Sequence, residues 1–240
     1  MYDSSDILGA VDSHVILFLG LGSVTMVFNY GFFITAIING NRDRSFPFAL
    51  ACCTLWFAHD VSYLLRFNEW FGTYHHWYLE LFWAALIPTS IIEGIYIYQV
   101  WRFGKNELMP KASQQAYNFY ILAAIAAGML GWFSVKSFLA DPIYVYSFGS
   151  TGFLAVAFGI PRLLARGDAA GQSVAMWVWF ICMQTGWFST TYLLFGPVFQ
   201  SPLWLALWFG CFAGGLFMVG ACWKLKSAAI APLAGVPQRG

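Results

Sequence analysis

From Ala169 to Trp223 the chain contains no Asp, Glu, Lys or Arg. A water-facing surface cannot be built without ionisable side chains, so this stretch must fold where water is absent, with its backbone groups paired internally. Gly196-Pro197 and Ser201-Pro202 divide it into two apolar segments, at about 173–195 and 202–223. Each is close to the ~20 residues that cross a hydrocarbon core. Val15 to Asn41 is likewise uncharged and supplies a first segment at about 15–38. Others follow at about 46–67, 77–101, 116–138 and 143–163, the last being the weakest because Gly149, Gly152, Gly159 and Pro161 interrupt it.

These segments predict an all-α fold, a polytopic transmembrane seven-helix bundle. Only 10% of residues are charged, against roughly 25% in soluble domains. The first residues carry Asp3, Asp6 and Asp12 and no basic stretch, so the first apolar helix is expected to persist as a span. The expected division is an external segment 1–14, a single bundle 15–223 and a cytoplasmic tail 224–240. Ten basic residues fall on one side of the bundle: Arg42, Arg44, Arg102, Lys105, Lys111, Arg162, Arg166, Lys224, Lys226 and Arg239. Only Arg66 and Lys136 fall on the other. The basic side is therefore expected in the cytoplasm, with the N-terminus outside.

Within such spans an ionisable group is costly unless it is paired or lines a polar cavity. The candidates are few. His59 and Asp60 lie in the second span, Glu80 near the start of the third, and Glu93 well inside it. Trp56, Asp60 and Tyr63 are spaced four and three apart and share a helix face, with His59 rotated about 100° from it. Ser90, Glu93 and Tyr96 form a second stripe, and Gln184, Trp187 and Thr191 a third. Asn29 sits in the first span, and Tyr30, Tyr120, Tyr144 and Tyr146 can bring phenols to a cavity margin.

The functional expectation is an amphiphilic cavity in which Asp60 or Glu93, kept neutral by desolvation, donates a proton, with His59 tuning or reprotonating it. Asn29, Trp56, Tyr63, Glu80, Tyr96, Gln184 and Trp187 would contact the substrate. The competing reading pairs Asp60 with Arg66 or a histidine merely to hold helices together. Twelve Trp, twelve Tyr and twenty-four Phe supply rings whose faces stabilise cations. Trp70, Trp77, Trp101 and Trp223 fit interfacial belts; Trp56, Trp83, Trp132, Trp179, Trp187 and Trp208 lie deeper. His59, His75, His76 and Glu80 could meet at the outer face, yet they show no metal-site spacing, and no metal or other cofactor is expected, although one histidine would suffice for a haem. The five cysteines lack redox or metal spacing and read as packing residues.

The run Asn41-Arg42-Asp43-Arg44-Ser45-Phe46-Pro47-Phe48-Ala49-Leu50-Ala51-Cys52-Cys53-Thr54-Leu55-Trp56 resembles the loop and second helix of the integral-membrane terpene cyclases of meroterpenoid and indole-diterpene biosynthesis. The resemblance implies a seven-helix enzyme that protonates an epoxide or olefin of a prenylated substrate and closes rings through carbocations, without magnesium. Two features depart from that family. Phe57 rather than an acid follows Trp56, so the nearest carboxyl is Asp60, and the last span holds no acid.

The partners expected are a lipophilic small molecule and membrane lipids; the oligomeric state is left open. A proton-coupled transporter and a lipid- or quinone-binding protein are the alternatives. A retinal protein would need a lysine inside the last span, which has none before Lys224. No basic groove suits a nucleic acid.

Overall fold

The computed structural model describes residues 2–230, and every regular element among them is helical. Nine α-helices occur in chain order: α1 Ser4–Ser13, α2 Val15–Arg42, α3 Leu50–Leu64, α4 Trp77–Phe103, α5 Lys105–Leu108, α6 Gln114–Leu139, α7 Val145–Arg166, α8 Val174–Leu194 and α9 Pro202–Ile230. A π turn at Glu69–Tyr74 and a 3-10 turn at Pro197–Gln200 interrupt the connections at one end. Starts and stops follow local chemistry. Ser113 accepts from the Ala116 amide at 3.1 Å to open α6, and Ser173 accepts from Met176 at 3.2 Å to open α8. Gly167, at φ 67°, closes α7 in the left-handed conformation that glycine adopts without strain.

The expected all-α class is met. Five helices (α2, α4, α6, α7 and α9) are long and apolar enough to cross a membrane. The other two large helices differ for separate reasons. α3 has 15 residues, about 22 Å of rise against a core of about 30 Å. α8 has 21 residues, but Gln184, Thr185, Ser189, Thr190 and Thr191 dilute its apolar character. Several expected boundaries also move. α2 continues to Arg42, so the basic turn begins later, and α9 continues past Lys224 to Ile230. The segment taken as the fifth span begins with a turn at 141–144 before helix starts at Val145. Residues 231–240, including Arg239, lie outside the described residues.

Six helices form a closed ring in the order α3, α4, α2, α8, α9, α7 and back to α3, and α6 packs on the outside of α3. α6 shows why it is peripheral. Its buried residues are Tyr117, Ile121, Gly128 and Trp132, a single narrow stripe spaced four, seven and four apart. Gly128 is required there, because a Cβ would lie 2.8 Å from the Thr54 Cβ. By contrast α3 buries ten of its fifteen residues on all sides. Large apolar side chains such as Ile16, Leu130, Phe138 and Leu203 stand on the outside of the bundle. Such a surface suits lipid rather than water.

The N-terminal segment is a short amphipathic helix clasped to the end of the bundle. Ile7, Leu8 and Val11 are buried beneath α1. Tyr2 hydrogen-bonds Asp141 at the α1 start. Near the other end, Asp12 accepts from Trp77 Nε1 at 2.8 Å and lies 3.2 Å from His76 Nε2. The Trp77 hydrogen bond, aided by the charge of His76, holds the Asp12 carboxyl below its usual range.

Candidate functional site

Five helices (α2, α3, α4, α7 and α8) converge on a cavity of about 50 Å³. Its wall includes Asn29, Trp56, His59, Asp60, Thr89, Glu93, Tyr144 and Gln184. At roughly 30 Å³ per water, the space fits one or two waters or the polar end of a larger ligand. Phe32, Phe33, Phe82 and Phe148 complete the wall with aromatic faces.

Asp60 is the most heavily hydrogen-bonded group of the cavity. Its Oδ1 accepts from the Tyr144 hydroxyl at 2.5 Å and lies 2.8 Å from His59 Nδ1; its Oδ2 accepts from Thr89 at 2.6 Å. Tyr144 and His59 are themselves 3.0 Å apart, closing a triangle. The other ring nitrogen of His59, Nε2, is buried and has no hydrogen-bond partner. Of the two partners expected for Asp60 in the purely structural reading, the histidine is found, as His59, and Arg66 is not. Arg66 instead lies 3.2 Å from Glu69 and donates to the Pro142 carbonyl at 2.6 Å.

Glu93 is the opposite case. It is 3% exposed, lines the same cavity, and its Oε2 has no hydrogen-bond partner. It sits four residues after Thr89 on α4, hence on the same face one turn further on. Gln184 also presents an unpartnered Oε1. Its amide is accommodated by Gly152, where a Cβ would come within 2.0 Å of Gln184 Nε2. Asn29 adds a further buried amide to the wall.

Tyr144 owes its position to the corner before α7. Asp141 accepts from the amides of Val145 at 2.9 Å and Ser147 at 2.7 Å, and from the Ser147 hydroxyl at 2.6 Å. A carboxylate there complements the positive end of the helix. Tyr144 occupies the left-handed region at φ 74°, an uncommon conformation for a side-chain-bearing residue that the Asp141 contacts hold in place.

The expected site residues thus separate into groups. His59, Asp60, Glu93, Asn29, Trp56 and Gln184 come together around the cavity. Trp56 is fixed by a 2.8 Å bond from Nε1 to the Thr151 carbonyl. Although His59 is rotated from Trp56 and Asp60, it joins them because α3 is surrounded by protein. Four expected contacts, Tyr63, Tyr96, Glu80 and Trp187, are elsewhere. Tyr63 donates to the Asp141 carbonyl at 2.9 Å and supports the corner. Tyr96 donates to the Phe33 carbonyl at 2.9 Å. Glu80 lies at the end of the bundle, 3.4 Å from His75.

Trp187 lines an adjacent apolar chamber rather than the polar cavity. Trp70, read as an interfacial anchor, is fully buried and donates to the Pro142 carbonyl at 3.0 Å. Of the four phenols suggested for the margin, only Tyr144 lines the cavity. Thr89 was not anticipated; its position one turn before Glu93 was the available signal.

The imagined grouping of His59, His75, His76 and Glu80 does not form, because these side chains separate into pairs with Asp60, Glu80 and Asp12. Among the described residues no three His, Cys, Asp or Glu side chains are grouped to hold a metal. α9 lines neither the cavity nor the adjoining chamber, so its lack of an acid has no bearing on this site. The chain matches no family model, no curated protein and no solved structure.

Proposed function

We propose that the chain is an integral-membrane enzyme that uses Glu93 as a proton donor to start isomerisation or ring closure of an uncharged, prenylated lipid, the chemistry of the integral-membrane terpene cyclases its sequence resembles. The observation that carries this reading is the free carboxyl oxygen of Glu93 in an aromatic-walled cavity, opposite an Asp60 held by three donors. In this scheme the Glu93 carboxyl gives its proton to an olefin or epoxide, and the substrate becomes cationic. Trp56, Phe82 and Phe148 face that charge through their rings, and the fixed Asp60 carboxylate opposes it. Loss of a proton from carbon to the Asp60–His59–Tyr144 cluster ends the reaction, and the proton then returns to Glu93. No net oxidation occurs.

In this reading the bundle crosses the bilayer seven times. α8 is about 31 Å long at 1.5 Å per residue, and residues 46–49 and 65–68 extend the short α3 toward both surfaces. The basic ends of the helices face the cytoplasm and α1 faces outside. At the α1 end, Lys136 and Arg66 are turned onto carbonyls of Ser62 and Pro142, at 2.9 Å and 2.6 Å.

The test is product formation from prenylated phenols and their terminal epoxides by the protein in nanodiscs. Glu93→Gln should lower turnover at least about a hundredfold while the protein elutes and unfolds as the parent does. Full activity in that variant would overturn the assignment. Proton-driven flux of an unaltered solute in liposomes would favour a carrier instead.

A further inference from the structure

Beside the polar cavity lies a second chamber of about 200 Å³, walled by α2, α4, α7 and α8. The two share Met26, Phe82, Ala85 and Phe148, so these four side chains form the partition between them. No Asp, Glu, Lys, Arg or His lines the chamber. Its polar lining is limited to hydroxyls such as Ser23, Thr25 and Thr190 and the Trp187 indole. Thr25 and Thr190 are engaged, donating to the carbonyls of Leu21 and Gly186 at 2.8 Å each.

The position of its opening decides how a ligand arrives. The end toward α1 is shut: Phe18 packs against Trp77, Tyr78 and Phe195 with ring centroids 6.4, 4.9 and 6.1 Å away, and Asp12 of α1 holds Trp77 from above. The side between α2 and α4 is different. Leu19 and Leu81, both in the chamber wall, are 39% and 56% exposed on the outside of the bundle. Between them Ser23 is exposed, and a Cβ built on Gly22 would meet nothing within 4 Å. The chamber therefore faces the apolar surroundings of the bundle sideways, through a seam edged by small residues.

We infer that this chamber binds the hydrocarbon chain of an uncharged lipid that enters laterally from the bilayer between α2 and α4, with its reactive end directed past Phe82 and Phe148 toward Glu93. Continuity with the polar cavity assigns the occupant: an apolar chamber without charge takes a hydrocarbon, and the small polar space beyond it takes one functional group. The direction of the reactive end rests on the function proposed above. Occupation of the chamber does not.

The experiment is photo-crosslinking of the whole protein, in nanodiscs of neutral phospholipid, with an isoprenoid alcohol bearing a diazirine in its tail. Label is expected on the peptides covering 18–26 and 78–85. Gly22→Trp should reduce it about tenfold, equivalent to ~1.4 kcal/mol of binding. Gly131→Trp, at an equally open glycine on α6, should leave it unchanged. If Gly22→Trp fails to fold, Ser23→Trp blocks the same seam, and Leu81→Ala should raise labelling by widening it. Label spread evenly over α6 and α9, or unmoved by any of these variants, would overturn the site. Glu93→Gln should label normally. Normal labelling of the parent without turnover of any prenylated substrate would leave the chamber standing and remove the chemistry.

Discussion

Asp141 and Glu93 are both buried carboxyl groups at 3% exposure, and their surroundings could hardly differ more. Asp141 accepts from two backbone amides, from Ser147 and from Tyr2, and it fastens the start of α7 to α1. Glu93 has an oxygen that nothing in the protein satisfies. A buried polar group left unpaired costs on the order of 1–3 kcal/mol, and such a cost persists where a ligand or a reaction makes use of it. Asp60 stands between the two extremes: fully bonded, like Asp141, yet lining a cavity, like Glu93. Satisfaction of hydrogen bonds, rather than burial, is what separates Asp141 from Glu93.

That contrast can be broken most directly at Glu93. Glu93→Gln should lower turnover by roughly 10²–10⁴-fold, the usual worth of a positioned proton donor, with little change in thermal unfolding. Asp141→Ala should do the reverse first. It should cost about 3 kcal/mol of stability by stripping several bonds from a buried corner, seen as a lower unfolding temperature even where no substrate is present. Tyr144→Phe removes the 2.5 Å donor to Asp60 and should cost about 1.5–3 kcal/mol of transition-state stabilisation, as for a hydrogen bond to a charged group. Its measured effect should fall on kcat more than on KM. Tyr63→Phe, whose hydroxyl serves the corner and not the cavity, should cost about 1 kcal/mol of stability and leave the pH profile of turnover unchanged.

The smallest effect concerns the α1 clasp. Asp12 has its carboxyl lowered in the folded protein, so the contribution of this contact is present above the ordinary aspartate range and is lost as pH falls through the folded value. Protection of the α1 amides, taken relative to their intrinsic exchange rates, should therefore fall only as pH drops below about 4. Protection that stays unchanged through that range would show that Asp12 does not hold the clasp.

Much of the fold was legible in the pattern of charge. Absence of ionisable residues marked out the long helices, and Gly196-Pro197 marked the break before α9, because glycine and proline act locally. The short α3 is shorter than the apolar run predicts, since Phe46 and Phe48 are as buried as any helical residue although the backbone there is irregular, with bends at Pro47 and Phe48. Burial, which hydropathy reports, is not helicity. The clasping of α1 was invisible for a related reason: its three apolar residues, Ile7, Leu8 and Val11, signify packing only once there is something to pack on.

For the site, the sequence alone named Asp60, His59, Glu93, Asn29, Trp56 and Gln184, because a polar group in an apolar helix is conspicuous wherever it points. It also fixed the scarcity of acids that makes each one informative. What only the tertiary structure decided was the partner of each group. Tyr63 and Tyr96 turned out to serve carbonyls, Tyr144 and Thr89 to serve Asp60, and the acid-free α9 to lie away from the cavity altogether. Hydrogen bonds reach about 3 Å and join residues dozens of positions apart. Periodicity along one helix gives the direction of a side chain but not the helix it meets there. The charge gap from Ala169 to Trp223 could therefore announce an apolar bundle, while the choice of Glu93 as its free acid waited on the packing of five helices around it.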